Sequence, residues 1–470
     1  MKRIHVLPDD VLLEVFDFYV YMRPPYLKKT GTEAWQSLVH VCRRWRSLVL
    51  GSPRRLNLQL YCTPKTPASE TLDVWPALPL IVEGDMVLSS DTDNVIAALG
   101  QSNRVCQVIL RGLADWQLEK ILAAMQVPFP QLTTLQLFSN DETLPVIPDS
   151  FLGGSAPSLR YFLLTGIPFP RLPKFLLSAN HLAVLWFANI PHSGYISPEA
   201  IVALLSVLSS LEGLHLKFRS PESRPDWESR SLPPPKRSIL PALNKFYFKG
   251  VTEYLEKLVT RIDTPQLGEM GITFFNQIDF DCPRFAQFIN RTPTLRARDE
   301  AYVQFDDDTA SVKLRYRTSK YGVDNLLISI SCREPDWQLS FIEQVCNSSL
   351  PRPSTVEDLY IERRLDFSQL VWKNDAIENT QWLQLLLPFT AVKNLYLSKE
   401  FAPGIVAALQ ELVGSIIAEV LPGLQDIFVE ALEPSGPLQE KIGQYVAARR
   451  LSDHPVAISD WDKDSNTKPM

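Results

Sequence analysis

The sequence predicts an α/β chain: a small helical module followed by an irregular strand–helix solenoid with a curved parallel sheet. Three observations carry this expectation. Two segments within the first fifty residues space their apolar side chains at helical intervals. From Val105 onward, an apolar residue is followed by others three and five positions later, often with a further one at eight, and this pattern starts twelve times, once in degenerate form. Between the copies lie apolar stretches long enough for a helix, such as 198–208 and 403–421.

The helical module comes first. Pro8 suits the start of a helix, where its missing N–H costs nothing, and Asp9 and Asp10 suit the positive end of the helix dipole. Val11, Leu12, Val15, Phe16 and Tyr19 then fall on what the spacing makes a single apolar face. A second set follows at Trp35, Leu38, Val41, Cys42, Trp45, Leu48 and Val49, with Arg43, Arg44 and Arg46 on the remaining faces. So small a unit cannot bury that much apolar surface by itself and needs a partner or a neighbouring domain.

The joint pattern of Leu7-Pro8 with Val41-Cys42-Arg43-Arg44-Trp45-Arg46 resembles an F-box, and the Trp35, Leu38, Val41-Cys42 and Trp45-Arg46 spacing resembles fungal F-box proteins in particular. The resemblance implies docking to a Skp-type adaptor and through it to a cullin, in an SCF-type ubiquitin ligase. It places Leu7, Pro8, Val11, Leu12, Val15 and Phe16 in the adaptor-facing stretch. Leu38, Val41, Cys42, Trp45 and Leu48 fall in the second half, which divides between adaptor contact and internal core. The link 21–33 is longer than usual and lacks the common Asp-Leu step.

The twelve repeat starts are Val105, Leu132, Leu159, Leu182, Leu211, Leu243, Leu267, Leu295, Val323, Val356, Val392 and Leu424. They are 27, 27, 23, 29, 32, 24, 28, 28, 33, 36 and 32 residues apart. A strand then a helix at such a period is the signature of a leucine-rich repeat, in which each unit covers its bare apolar edge by stacking on the next. The copy at Leu295 is degenerate, with Arg298 and Glu300 in its apolar slots. Asn140 is expected to tie its turn as the eighth-step residue. Leu113, Ile167, Ile190, Val251, Phe275, Val303 and Leu432 put an apolar group there, so packing should close those turns.

This gives an F-box over 1–60, a Pro-rich joint or first cap over 61–100, repeats over 101–451 with a loop insertion at 220–238, and a frayed polar tail at 452–470. The 45% hydrophobic content supplies a sizeable core, and a net charge of −6 argues against general nucleic-acid or anionic-membrane binding. No apolar run reaches membrane-spanning length. Six scattered cysteines without short paired spacings read as reduced thiols, and the expected setting is cytoplasm or nucleus.

Chemistry is sparse. Asp91-Thr92-Asp93-Asn94-Val95-Ile96 matches the nucleophile motif of haloacid-dehalogenase-like phosphatases, but Ser89-Ser90 intervene where an apolar strand should end, and the same letters cap a helix at less cost. Asp306-Asp307-Asp308 lacks the Gly and Glu of a calcium loop and reads as an acidic turn. No catalytic residue, cofactor or metal ligand is expected. The outward strand slots hold Trp186, His215, Tyr247, Tyr360, Tyr396 and Phe428, with Asp358, Asn394 and Asp426 two residues before the last three. Large solvent-facing rings suggest binding anchors. Trp186, Tyr247, Asp358, Tyr360, Asn394, Tyr396, Asp426 and Phe428 are therefore the candidate contacts for an unidentified protein substrate. The alternatives are a repeat scaffold with a degenerate F-box and no ligase, and, more remotely, a phosphatase.

Overall fold

A computed structural model describes residues 7–21, 34–65, 68–88, 92–141, 144–169, 173–225, 237–275, 281–295, 298–317, 325–348, 353–363, 379–412, 419–432, 436–451 and 453–462. The chain divides into two compact units, Met1–Ile196 and Ser197–Met470.

The first unit begins with three helices, α1 (Asp9–Tyr21), α2 (Ala34–Val39) and α3 (Arg43–Gly51). Helix α3 starts where it does because the Cys42 Sγ accepts the Trp45 backbone N–H at 3.5 Å, a sulfur N-cap. Leu12, Phe16, Trp35, Leu38, Val39 and Val49 form the core of this module. Arg44 ties α3 to the start of α1, donating to the Asp9 carboxylate and to the Leu7 carbonyl at 2.6 Å.

The repeat array starts earlier than the sequence pattern indicates. Strands β1 (Leu60–Cys62) and β2 (Leu80–Asp85), with α4 (Ala68–Val74) and α5 (Asp93–Leu99), lie in the stretch expected to be a joint. They pair in parallel with each other, and β2 pairs with β3 (Val105–Arg111). Asn94 holds this first turn together, accepting from the Ala68 N–H and donating to the Pro64 carbonyl. Helix α6 (Asp115–Ala124) and strands β4 (Thr134–Phe138), β5 (Tyr161–Thr165) and β6 (Val184–Ile190) follow, all strands in parallel register.

The three- and five-step residues stack strand on strand, Leu135 on Phe162 on Leu185 and Leu137 on Leu164 on Phe187, all buried. Burying each such side chain contributes roughly 1.5–3 kcal/mol. The turn tie differs from expectation: Asn140 is exposed, and the buried Ser139 hydroxyl bonds the Leu113 carbonyl at 2.6 Å instead. Gly166, at φ +77°, passes so close to the Ser139 carbonyl that a Cβ would lie 2.2 Å from it, so that turn requires glycine.

The second unit contains α7 (Pro198–Leu205), β7 (Gly213–Phe218), β8 (Ser238–Ile239), β9 (Lys245–Gly250), α8 (Thr252–Val259), β10 (Ile262–Asp263), β11 (Glu269–Phe275) and α9 (Pro283–Arg291). It continues with β12 (Glu300–Phe305), β13 (Thr309–Arg315), β14 (Asn325–Ser331), α10 (Pro335–Ser348), β15 (Asp358–Arg363), α11 (Asn379–Leu386), β16 (Asn394–Leu397), α12 (Ala402–Gln410), β17 (Asp426–Glu430), α13 (Pro437–Leu451) and β18 (Ala457–Trp461). Helices are tied to their neighbours through their ends: the Glu256 carboxylate on α8 accepts the Arg284 and Phe285 N–H groups that open α9.

The strand order in this unit is β7–β9–β11–β14–β13–β12–β15–β16–β17–β18, with a separate β8–β10 pair. Strand β13 runs antiparallel to both β12 and β14, the one reversal among the described strands of this run. The twelve copies therefore correspond to β3–β7, β9, β11, β12 and β14–β17, and the α/β strand–helix array is what the chain forms. Two details are corrected. The degenerate copy is displaced by three residues, because Ala301 and Val303 pair with Leu359 and Ile361, so the buried Arg298 occupies the first slot. Residues 457–461 of the expected tail pair with β17, Ile458 opposite Ile427 on one face and Ser459 opposite Phe428 on the other.

Several sequence features fall wholly or mostly outside the described residues: the F-box link from 22 to 33, the loop from 226 to 236, Val323 and Asp91. Of the phosphatase-like motif, Asp93 lies within the first turn of α5, whose N-cap is Thr92. Asp306 and Asp307 form the β12–β13 turn, and Asp307 pairs with Arg363 at 3.1 Å. All six cysteines are free thiols. Among the described residues no helix is long and apolar enough to cross a membrane, and no group of three or more His, Cys, Asp or Glu could hold a metal.

Candidate docking faces on the helical module and the repeat sheet

Helix α1 does not bury one apolar face; it has two. Leu12, Leu13 and Phe16 point inward, the last with its ring 4.7 Å from Trp45. Val11, Val15 and Phe18, at positions i, i+4 and i+7, form a stripe on the other side, 40%, 49% and 64% exposed. Leu7 and Val41 are exposed as well. The ten expected adaptor contacts thus divide. Leu7, Pro8, Val11, Val15 and Val41 are open to solvent, Leu12, Phe16 and Leu38 are core, Cys42 caps α3, and Trp45 is half-buried against Phe16. The single-face expectation failed because a run of consecutive apolar residues in a helix fills more than one side. Phe18 was missed for the same reason.

The second unit's sheet has one face under the helices and one open face. On the open face the register lines up Tyr302, Tyr360, Tyr396 and Phe428. Their rings stack nearly parallel, with centroids 4.4, 4.2 and 4.6 Å apart. The neighbouring row is Arg315, Glu300, Asp358, Asn394 and Asp426. Arg315 donates to Glu300 at 2.6 Å and to the Tyr302 hydroxyl, Arg317 donates to Asp358 at 2.5 Å, and Asn394 donates to Asp358 at 2.6 Å.

The structure brings Asp358, Tyr360, Asn394, Tyr396, Asp426 and Phe428 onto one patch, but not as solvent-facing anchors. Asp358 is 1% exposed, Tyr360 7% and Tyr396 4%. Trp461 of β18 lies across the rings, 5.9 Å from Tyr360 and 5.5 Å from Tyr396, and Arg317 covers Asp358. Burial, with the neighbouring carboxylates and hydroxyls, pushes the Tyr302 and Tyr360 hydroxyls well above their ordinary range. Sequence reasoning missed Tyr302, Arg315, Arg317 and Trp461. Tyr302 was hidden by the three-residue displacement of its repeat, and Trp461 by the polar letters around it.

Tyr247 stands toward the other end of the same open face, stacked on His215 at 4.6 Å and donating to the Glu269 carboxylate. Its ring lies over Gly271, where a Cβ would meet it at 2.6 Å. Burial, then the charges of Lys217 and Lys245, lowers the His215 pKa to about 4, so the imidazole is neutral at ordinary pH. Trp186 belongs to the first unit, half-buried on β6 beside Leu163.

No protein-family profile matches the chain, and no curated protein does. Among solved structures, the chain is similar to one from the complex of Rad7 and Elc1 of yeast, at 14% identity over 90% of this chain and 88% of that one, TM-score 0.31. It is also similar to the leucine-rich-repeat-containing protein LegL7 of Legionella pneumophila, at 12% identity over 83% and 97% of the two chains, TM-score 0.27. A third is the leucine-rich-repeat protein LIC12759 of Leptospira interrogans, at 16% identity over 81% and 89%, TM-score 0.24. At these scores the class of protein, a leucine-rich-repeat-type α/β array behind a short helical module, rests on the chain's own strands and register.

Proposed function

We propose that the chain is the substrate-recognition subunit of an SCF-type ubiquitin ligase. Its helical module docks a Skp-type adaptor, and through it a cullin, while the open face of the second unit's sheet holds a protein substrate. The observation that supports this reading is the stripe Val11, Val15 and Phe18 on α1, left in water by a module whose core is already filled by Leu12, Phe16, Trp35 and Val49. Exposed apolar side chains gathered on one helix face mark an interaction site. The F-box resemblance names the partner for that face. In this role no residue of the chain makes or breaks a bond; it supplies proximity.

The test is a pull-down of the full chain with a purified Skp-type adaptor, beside the Val11→Asp/Val15→Asp variant. Both positions are exposed, so the variant should fold and lose binding by about a hundredfold or more. No binding by folded wild type would leave a repeat-based interaction protein outside any ligase.

A further inference from the structure

The array ends differently at its two edges. Beside β1, Trp35 of the helical module donates its indole N–H to the Gln59 carbonyl at 3.0 Å, so that edge is tied to the rest of the chain. Strand β18 is the last in the sheet order, and among the described residues no strand pairs with its outer side. The Ala457 N–H bonds the Gln425 carbonyl beside β17. By alternation Ser459 faces β17 too, and the backbone N–H and C=O groups of Ile458 and Asp460 point away from the sheet. An unpaired edge of this kind is a template for another strand. The Asp460 carboxylate does not guard it, being turned back to accept the Leu432 N–H at 2.8 Å.

The last helix is uncovered as well. Helix α13 buries Ile442, Tyr445 and Arg449, and it is tied to α12 by Gln410, whose side-chain amide donates to the Lys441 carbonyl at 2.9 Å. Another stripe, Glu440, Gly443, Ala447 and Arg450 at i, i+3, i+7 and i+10, is exposed. A Cβ added to Gly443 would meet nothing within 4 Å. The stripe carries opposite charges at its two ends and small residues between them. Neither Glu440 nor Arg450 makes an ion pair among the described residues.

We propose that a second copy of this chain covers this end, related by a two-fold axis running from the sheet layer to the helix layer. Such an axis sets β18 antiparallel to β18 of the copy and α13 antiparallel to α13 of the copy. About Ser459, Ile458 stands opposite Asp460 of the copy, and these two outward-facing residues exchange both N–H···O=C bonds. About Tyr445, Glu440 stands opposite Arg450 of the copy, and Gly443 opposite Ala447 of the copy. Opposite charges then meet at the rim, and small residues meet where the helices approach. Parallel pairing would instead set Glu440 against Glu440. An unrelated strand could satisfy the edge, but it would not match the order of charges on α13. The proposal requires neither adaptor docking nor a substrate on the open sheet face.

The experiment is sedimentation velocity of the full chain over a dilution series. Wild type should be a dimer that dissociates on dilution, since one strand and one helix make a small interface. Glu440→Arg or Arg450→Glu alone puts like charges opposite each other and should raise the dissociation midpoint about tenfold. The double swap Glu440→Arg/Arg450→Glu should restore it, which no misfolded variant would do. In hydrogen exchange, the Ile458 and Asp460 amides should be protected in the dimer and exchange freely on dilution. A monomer at every concentration up to about 0.1 mM, or a double swap no better than the single ones, would overturn the proposal. So would protection of Ile458 and Asp460 that ignores concentration, which would assign the edge to a segment of the same chain.

Discussion

The helical module and the last repeats treat water in opposite ways. On α1, Val15 and Phe18 are left about half or more exposed, although apolar side chains gain from burial. On the repeat sheet, Glu300 and Asp358 are each 1% exposed, although charges lose by it. The first region is incomplete by itself, and the second has completed itself with Arg315, Arg317 and Trp461. Chemical character alone therefore does not mark a recognition surface. What marks it is whether the chain's own residues have already satisfied that character.

The comparison can be broken most sharply at Arg315. Replacing it with Met leaves the Glu300 carboxylate buried, with Tyr302 at 3.2 Å and Arg317 only at 3.9 Å. Urea unfolding should show a loss of about 3 kcal/mol. Glu300→Gln should cost less, about 1 kcal/mol, because Arg315 is 35% exposed and can reach water. Equal costs would mean that Glu300 is not held as a buried charge.

His215 gives the next effect. Its folded pKa, about 4, lies below the ordinary 6.5, so the unfolded chain takes up the proton first as pH falls. The contribution is complete above about pH 6.5 and disappears toward pH 4. His215→Phe, which retains a ring to stack on Tyr247, should remove about 2 kcal/mol of stability loss between pH 7 and pH 4. Unchanged pH dependence in denaturant midpoints would refute this. The smallest effect belongs to the helical module: Val11→Asp/Val15→Asp should shift unfolding by less than about 0.5 kcal/mol, since both side chains stand about half exposed to water. A large loss would show that the stripe is internal core after all.

Much of this architecture was legible because strand packing leaves a fixed spacing in the sequence. Leu135 with Leu137 and Leu395 with Leu397 announce their strands without help from neighbours. The parts that were not legible depend on contacts between distant residues. Strands β1 and β2 lie among prolines, which hid their short apolar runs. Nothing local at Thr309–Arg315 says that the strand runs backward. Whether Tyr360 is an open anchor or a covered one depends on Trp461, a hundred and one residues later.

The reversed strand β13 also affects how the array assembles. A regular solenoid grows by adding each unit to the one just finished. Here β11 cannot receive its neighbour when β12 emerges, because that place belongs to β14, and β12 waits for β15. The segment from β12 to β15 must therefore close as one cooperative block. Loss of structure from either end halts at that block, and a nascent chain released within it exposes two unpaired strand edges.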